Sequence, residues 1–181
     1  MGNIAFRILL TFNATSLLVI VFCIQNDFPL SYFYPHPITC AAPDYASYIA
    51  YAIIPIFLTW VSLKLSKFLG RDEFKSGEVE SIEHANNSFL PSYLGYFFVA
   101  LSISDWTALA FVYGMLFVFT FLSQALYFNP LFLIFGYEFY NIKTASGTTI
   151  FLISKDRYKK PGAVSISSAR RINDYTFIER K

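Results

Sequence analysis

Hydrophobic residues fall in four long stretches along the chain, separated by short polar segments. The first runs from about 4 to 24 and the second from about 45 to 65. The third and fourth, about 88–103 and 106–128, are separated only by a short turn that contains Asp105. Because a helix needs about 20 apolar residues to cross the hydrocarbon core of a bilayer, this pattern predicts four membrane-spanning helices.

A few residues mark bends and ends in these stretches. Pro55 lies in the middle of the second stretch and is expected to bend the helix, because proline removes one hydrogen bond and frees the carbonyl of Tyr51. Ser104 or Asp105 can cap the helix that follows them. Asn129-Pro130 predicts the end of the fourth helix, since the residue before proline disfavours the helical conformation.

The C-terminal part of the chain has a different pattern. Residues 137–143 and 148–154 are rich in aromatic and β-branched side chains, and Gly147 between them suits a tight turn. They therefore predict a β-hairpin. Residues 174–179 predict a third short strand, and three such strands are near the lower limit for independent stability.

The composition agrees with this division. Hydrophobic residues make up 55% of the 181 residues and charged residues 14%, whereas about a quarter of an average soluble domain is charged. The predicted fold class is an all-α membrane protein, a four-helix transmembrane bundle over residues 1–136 with a small cytoplasmic β unit over residues 137–181. The first stretch is expected to stay uncleaved, because no signal-peptidase site follows it.

The distribution of charge predicts the orientation. All 14 lysine and arginine residues fall on one side of this four-span arrangement. The opposite side carries Asp27, Asp44 and Asp105 but no cation. Since cytoplasmic segments of membrane proteins are enriched in lysine and arginine, both termini are predicted to lie in the cytoplasm.

The sequence gives no positive sign of catalysis. His36 and His84 are predicted on opposite sides of the membrane, and no motif for metal, phosphate or nucleophile chemistry is present. No ionisable residue lies deep in a predicted span, where a transporter would need one. We therefore predict a protein that is not an enzyme, with no cofactor, no metal and no small-molecule substrate. Direct nucleic-acid binding is not expected, because the tail cations are interleaved with strand residues.

Cysteines and small residues leave two questions open. Cys23 and Cys40 are both predicted near the outer face, where they form either one disulfide or two free thiols. The pairs Ala46/Ala50 and Ala110/Gly114 have the spacing that allows close helix contacts within one subunit or between subunits.

Several segments of the last quarter of the chain carry a family resemblance. They are residues 135–142, which leave the last apolar stretch, residues 146–147, residues 150–155 and residues 171–178. These segments, together with the four-span plan, resemble KwaA, the membrane component of the Kiwa anti-phage defence system.

The resemblance implies a multi-pass protein of the bacterial inner membrane that oligomerises, detects phage attack at the envelope and works with a cytosolic DNA-binding partner, KwaB. It thereby predicts a non-enzymatic sensor and scaffold that recruits this effector. The residues expected to dock the partner are Tyr137, Phe139, Tyr140, Arg170, Arg171 and Asp174.

Two alternative functions stay open at this point. One is an oligomeric channel or pore-forming effector that depolarises the membrane, its pore lined by weakly polar side chains: Thr11, Thr15, Thr120, Ser123 and Gln124. The other is an immunity protein that binds a membrane-acting toxin.

Overall fold

A computed structural model describes residues 2–74, 77–87, 90–123 and 129–180. The helices of this part are α1 Gly2–Gln25, α2 Leu30–Phe33, α3 Pro37–Ala41, α4 Asp44–Leu65, α5 Leu90–Ser102, α6 Trp106–Leu122 and α7 Leu131–Ile134. The strands are β1 Arg71–Phe74, β2 Val79–His84, β3 Glu138–Thr144, β4 Thr149–Ser154, β5 Ile166–Arg171 and β6 Thr176–Glu179.

Helix α1 is the centre of the helical layer and contacts α4, α5 and α6. Its side chains Leu10, Leu18 and Phe22 are almost completely buried in these contacts. Asp105 accepts a hydrogen bond from the N–H of Ala108 at 2.9 Å, which confirms the predicted cap of α6. Helix α6 ends at Leu122, before the predicted end at Asn129-Pro130; residues 124–128 lie outside the described residues, and the single-turn helix α7 begins after the pair, at Leu131.

The six strands form one mixed sheet in the order β1-β5-β6-β4-β3-β2. All neighbours are antiparallel except β4 and β6, which run parallel. Strands β3 and β4 form the predicted hairpin, and Gly147 in their turn has a positive φ of 85°, a backbone conformation that favours glycine.

This sheet curls on itself. Strands β1 and β2 occupy its two edges although they are neighbours in the chain. In a flat sheet five inter-strand gaps would separate them by about 24 Å, whereas the five Cα–Cα steps from Phe74 to Val79 reach at most about 19 Å. The curled sheet therefore encloses an apolar cluster of its own, formed by Val79, Tyr140, Ile142, Ile150, Leu152, Val164, Ile166, Ala169 and Phe177.

The other face of the sheet packs on the end of the helical layer. Phe139 and Phe151 stack at 5.7 Å between ring centroids, and Phe139 also contacts Phe132 of α7. A single buried cluster joins these rings to Phe6 and Leu10 at the start of α1. The sheet and the helices are thus held together by one shared hydrophobic core.

The structure corrects the predicted all-α class with a small C-terminal β unit. The sheet has six strands, two of which come from the segment after α4. Strand β1 reads Arg-Asp-Glu-Phe, so its charged side chains hid the strand pattern. Charge of this kind is common on edge strands, where it discourages pairing with other chains. Strand β5, which is rich in serine and arginine, was missed for the same reason.

The predicted bundle of four membrane spans is wrong as well. Among the described residues only Ile4–Gln25 and Asp44–Phe68 are long and apolar enough to cross a bilayer, a condition that buried core helices and signal sequences also meet. Helix α5 has 13 residues and α6 has 17, or about 20 Å and 26 Å of helix. The predicted start of the third span at Ser88 and end of the fourth at Phe128 lie outside the described residues.

A buried polar cluster surrounds Pro55 in α4. Asn13 and Thr59 are fully buried and Asn129 nearly so. With its amide nitrogen towards the Pro55 carbonyl at 3.1 Å, Asn13 accepts hydrogen bonds from the Asn129 amide at 2.8 Å and the Thr59 N–H at 3.2 Å. The Thr59 hydroxyl also donates to the Pro55 carbonyl at 2.8 Å. These bonds satisfy the carbonyl of Pro55 and the N–H of Thr59, and they tie α1, α4 and the start of α7 together.

We expect Asn13→Leu to lower the free energy of unfolding by about 1–3 kcal/mol, since two or three hydrogen bonds between helices are lost. Thermal unfolding in detergent micelles measures the change. Phe12→Leu, at a position 46% exposed on the same helix, is the matched control and should be close to the parent. Equal stability of the two variants would contradict a structural role for this cluster.

Candidate functional site

The outer surface of the helices is apolar, and their polar side chains point inwards. On α4, Ile53, Phe57 and Trp60 are 56%, 57% and 46% exposed. In contrast, Ser47, Thr59 and Ser62 of the same helix are buried. This arrangement is the reverse of a water-facing helix, and large apolar surfaces mark contacts with lipid or with another protein.

Three of the six predicted docking residues lie in the core. Tyr137 is 9%, Tyr140 1% and Phe139 0% exposed. Phe139 belongs to the cluster between sheet and helices, whereas Tyr140 lies inside the curled sheet. These aromatic side chains therefore hold the sheet in place, and any part they take in docking is through that support.

The other three lie at the end of β5, next to the edge strand β1, and in the turn that follows. Arg170 is partly buried and donates to the Leu69 carbonyl at 3.0 Å. Arg171 makes two hydrogen bonds to Asp72, at 2.7 Å and 3.1 Å, and these bonds raise the pKa of its guanidinium. Asp174 is exposed in the turn between β5 and β6. Docking by these residues stays a prediction, and the exposed members are Arg171 and Asp174.

The acidic segment after α4 neutralises part of the basic tail at both sheet edges. Asp72 of β1 binds Arg171, and Glu80 of β2 lies 2.9 Å from the ammonium of Lys143. Residues 71–83 carry five acidic side chains against two basic ones, and the C-terminal part of the chain is basic. Only the strand order brings these two segments together. The tail therefore offers less free positive charge than its composition suggests.

A polar network closes one end of the curled sheet around Glu138. Its carboxylate accepts hydrogen bonds from the Tyr140 hydroxyl at 2.6 Å and the Arg157 Nε at 3.0 Å, and His84 lies 3.5 Å away. The bond from Tyr140, assisted by the charge of Arg157, lowers the pKa of Glu138. Burial and the bond to Glu138 raise the pKa of Tyr140 to about 12.

Glu179 is a second carboxylate that accepts hydrogen bonds from the sheet, and it lies inside the curl. The residue is 8% exposed, and both carboxylate oxygens accept from the Tyr158 hydroxyl, at 2.9 Å and 3.0 Å. Ser154 donates to the same carboxylate. Because buried carboxylates are costly unless they are hydrogen-bonded, this contact explains a glutamate at the end of an apolar strand.

The cysteines and histidines lie on separate elements. Cys23 is buried in α1 and Cys40 is exposed in α3, and both are free thiols in the structure, so their pairing stays a prediction. His36 caps α3 through its Nδ1, which accepts from the Ile38 N–H at 3.3 Å. Within residues 2–74, 77–87, 90–123 and 129–180, no cluster of three or more acidic, histidine or cysteine side chains could hold a metal ion.

The side chains suggested for a pore mostly point into the helical layer. Thr11, Thr15 and Thr120 are buried, and Thr11 donates to the carbonyl of Arg7 within its own helix. Thr15 contacts the Tyr113 hydroxyl of α6 at 3.2 Å. Gln124 lies outside the described residues. These contacts are those of helix packing within one chain, and none of them favours a pore.

The chain is thus a small protein in which a helical layer with an apolar outer surface packs against a curled, charged sheet. The chain belongs to the KwaA family of anti-phage proteins, whose family model matches residues 6–178 and so covers nearly the whole chain. This confirms the resemblance found in the sequence and assigns a role in anti-phage defence. No curated protein and no solved structure matches the chain.

The network around Glu138 should make stability depend on pH. A carboxyl group whose pKa is lowered by folding stabilises the folded state above its unfolded pKa of about 4.3, and this contribution is lost as the pH falls through the lower folded value. We therefore expect Glu138→Gln to cost about 1–2 kcal/mol near pH 7 and to flatten the acid dependence of unfolding.

Chemical denaturation between pH 3 and 7 measures both effects. Glu83→Gln, on the exposed side of β2, is the control that removes one carboxylate without touching the network. If both variants show the acid dependence of the parent chain, Glu138 is not the group responsible.

Proposed function

We propose that the chain is a non-enzymatic inner-membrane sensor and scaffold that recruits a cytosolic DNA-binding effector during anti-phage defence. Membership of the KwaA family supports the defence role. The observation that carries the membrane part is the reversed polarity of α4, with exposed Ile53, Phe57 and Trp60 and a buried polar side. Lipid is the apolar surrounding that fits such a helix.

The charges support a cytoplasmic position for the sheet. Arg7 at the start of α1 donates to the Phe121 carbonyl near the end of α6, at 3.1 Å. Arg180 reaches the carbonyl of Lys64 at the end of α4, at 3.3 Å. The helix ends that carry cations therefore meet at the sheet, whereas α2, α3 and the segments beside them carry no lysine or arginine. Positive charge of this distribution favours the cytoplasmic side.

Docking is proposed at the turn between β5 and β6. Asp174 is exposed, and Tyr175 beside it is 55% exposed although it is a large side chain. Tyrosine and arginine are the residues most often found at the centre of protein interfaces, and Arg171 lies next to this turn. The partner proposed for this surface is a KwaB-like DNA-binding protein of the cytosol.

Self-association is proposed on α6. Gly114 lies in a shallow apolar groove of about 340 Å³ whose other lining residues are Ala110, Phe111, Met115, Val118 and Phe119. Because small residues let helices approach closely, this groove suits a helix of a second copy. Thus α6 is the element we assign to a homo-oligomer.

We expect the double variant Asp174→Arg, Tyr175→Ala to reduce co-purification of the partner at least about tenfold, since central interface residues each contribute about 1–2 kcal/mol or more. The partner tested is the KwaB-like DNA-binding protein proposed above. Surface variants are preferred to removal of the tail, because β3, β4 and β6 belong to the shared core.

Glu83→Arg at the opposite sheet edge is the control for a change of charge on the same sheet. Membrane fractionation and thermal unfolding of all variants show whether the chain is still inserted and folded. Unchanged co-purification by the double variant would place docking elsewhere.

Labelling of the two cysteines tests the proposed orientation. With the sheet in the cytoplasm, exposed Cys40 faces the periplasm and should react with a membrane-impermeant maleimide in intact spheroplasts, whereas buried Cys23 should react only after denaturation. Cys40→Ser is the control that removes the label. Labelling of Cys40 only after lysis would reverse the orientation, and labelling only after reduction would show the disulfide.

A further inference from the structure

A cavity of about 500 Å³ lies where the end of α4 meets the sheet. Three cationic side chains line it, Lys64 from α4, Lys155 after β4 and Arg180 after β6. Aromatic rings line it as well, among them Trp60 and Tyr137. The site thus combines positive charge with apolar surface at the junction between the two layers.

The cations are positioned by rings and backbone. The ammonium of Lys64 lies 5.5 Å from the Trp60 ring centre, and that of Lys155 lies 5.0 Å from the Tyr137 ring centre. Arg180 donates to the carbonyls at the end of α4. In the described part of the chain none of the three lies within ion-pair distance of a carboxylate, so their charge can act on an external anion.

Two carboxylates also line the cavity. Glu179 accepts its hydrogen bonds from Tyr158 and Ser154, inside the sheet. The N–H of Asp156 donates to the Ser154 hydroxyl at 2.8 Å, which fixes the backbone of the loop after β4. Three cations against two carboxylates leave an excess of one positive charge among the lining residues.

The apolar wall continues onto the outside of α4. Trp60 lines the cavity and is 46% exposed, and its ring stacks on Phe57 at 5.9 Å between centroids. Ile53, one turn further from the cavity, is 56% exposed. A ligand whose anionic end lies among the cations would therefore meet a continuous apolar stripe of about 10 Å, the length of seven helical residues.

We propose that this cavity binds the head group of an anionic phospholipid, with its phosphate among Lys64, Lys155 and Arg180 and its acyl chains along Phe57 and Ile53. A free phosphate compound carries the same kind of charge but has no acyl chain to contact the apolar stripe. Tryptophan and lysine at the end of a membrane helix lie at the level of the lipid head groups. The proposal rests on the membrane position argued above for α4.

Binding is measured by native mass spectrometry on the full chain, extracted from vesicles that contain equal parts of phosphatidylglycerol and phosphatidylcholine. We expect the parent chain to retain phosphatidylglycerol preferentially. The double variant Lys64→Gln, Lys155→Gln should retain at least about tenfold less, because each lysine near a charged bilayer contributes about fivefold in affinity. Lys155→Gln by itself should retain about fivefold less.

Lys67→Gln is the matched control. Lys67 lies just beyond the end of α4, where its ammonium is 4.7 Å from the Phe68 ring centre, and it does not line the cavity. An equal loss of lipid in this control would mean unspecific attraction to the surface and would overturn the site. Equal retention of both lipids by the parent chain would overturn it as well.

A second arm distinguishes the source of the phosphate. The same measurement is made on the chain extracted from pure phosphatidylcholine vesicles, with 10 mM inorganic phosphate added as an experimental setting. No anionic lipid is present in these vesicles, so a site for such a lipid should stay empty. Retention of inorganic phosphate that Lys155→Gln removes would overturn the lipid assignment. Membrane fractionation of each variant separates the two proposals, because a chain absent from the membrane would disprove the proposed location of α4 rather than the choice of ligand.

Discussion

The packing of one face of the sheet on the ends of the helices is the contact on which the rest of the structure depends. Phe139, Phe151 and Ile153 would be exposed in an isolated sheet, and the start of α1 would lack a cover. Burial of one such side chain stabilises by about 1.5–3 kcal/mol, so this contact is large against the stability of a small domain. Curling follows from the same need, because the second face has no helix to cover it and must bury its side chains against itself.

Because the sheet packs on the helices, the C-terminal part of the chain is not an independent tail. A short tail of three strands would be an appendage, free to bind a partner through any of its side chains. In the structure its aromatic residues are shared between two cores, and only turns and edges remain exposed. A surface for a partner must then be sought among residues such as Asp174 and Tyr175, which can change without loss of the core.

The sequence allowed the four long helices and the β3–β4 hairpin to be predicted, because their apolar runs and the turn at Gly147 are local signals. It did not allow β1, β2 or β5 to be predicted. Arg71 and Asp72 in β1 are stabilised by a partner strand about a hundred residues away, and no local pattern reports such a pairing. The number of spans was overestimated for a related reason, since α5 and α6 are as apolar as membrane helices but too short. Three of the six candidate docking residues are buried, and their burial could be read only from the fold.

The cations near the sheet fall into two groups, those paired with carboxylates and those that lie on aromatic rings. Arg171 and Lys143 are paired with carboxylates of β1 and β2, so the cations at the sheet edges serve the fold. Lys64 and Lys155 instead lie on aromatic rings beside a cavity, in contact with no carboxylate of the described residues. Unpaired charge at the boundary between an apolar and an aqueous layer is stabilised most by an anion that belongs to both, and a phospholipid has that character. A bound lipid would therefore fill an open part of the junction beside the shared core of sheet and helices, and the position of the sheet would then depend on the lipid composition of the membrane.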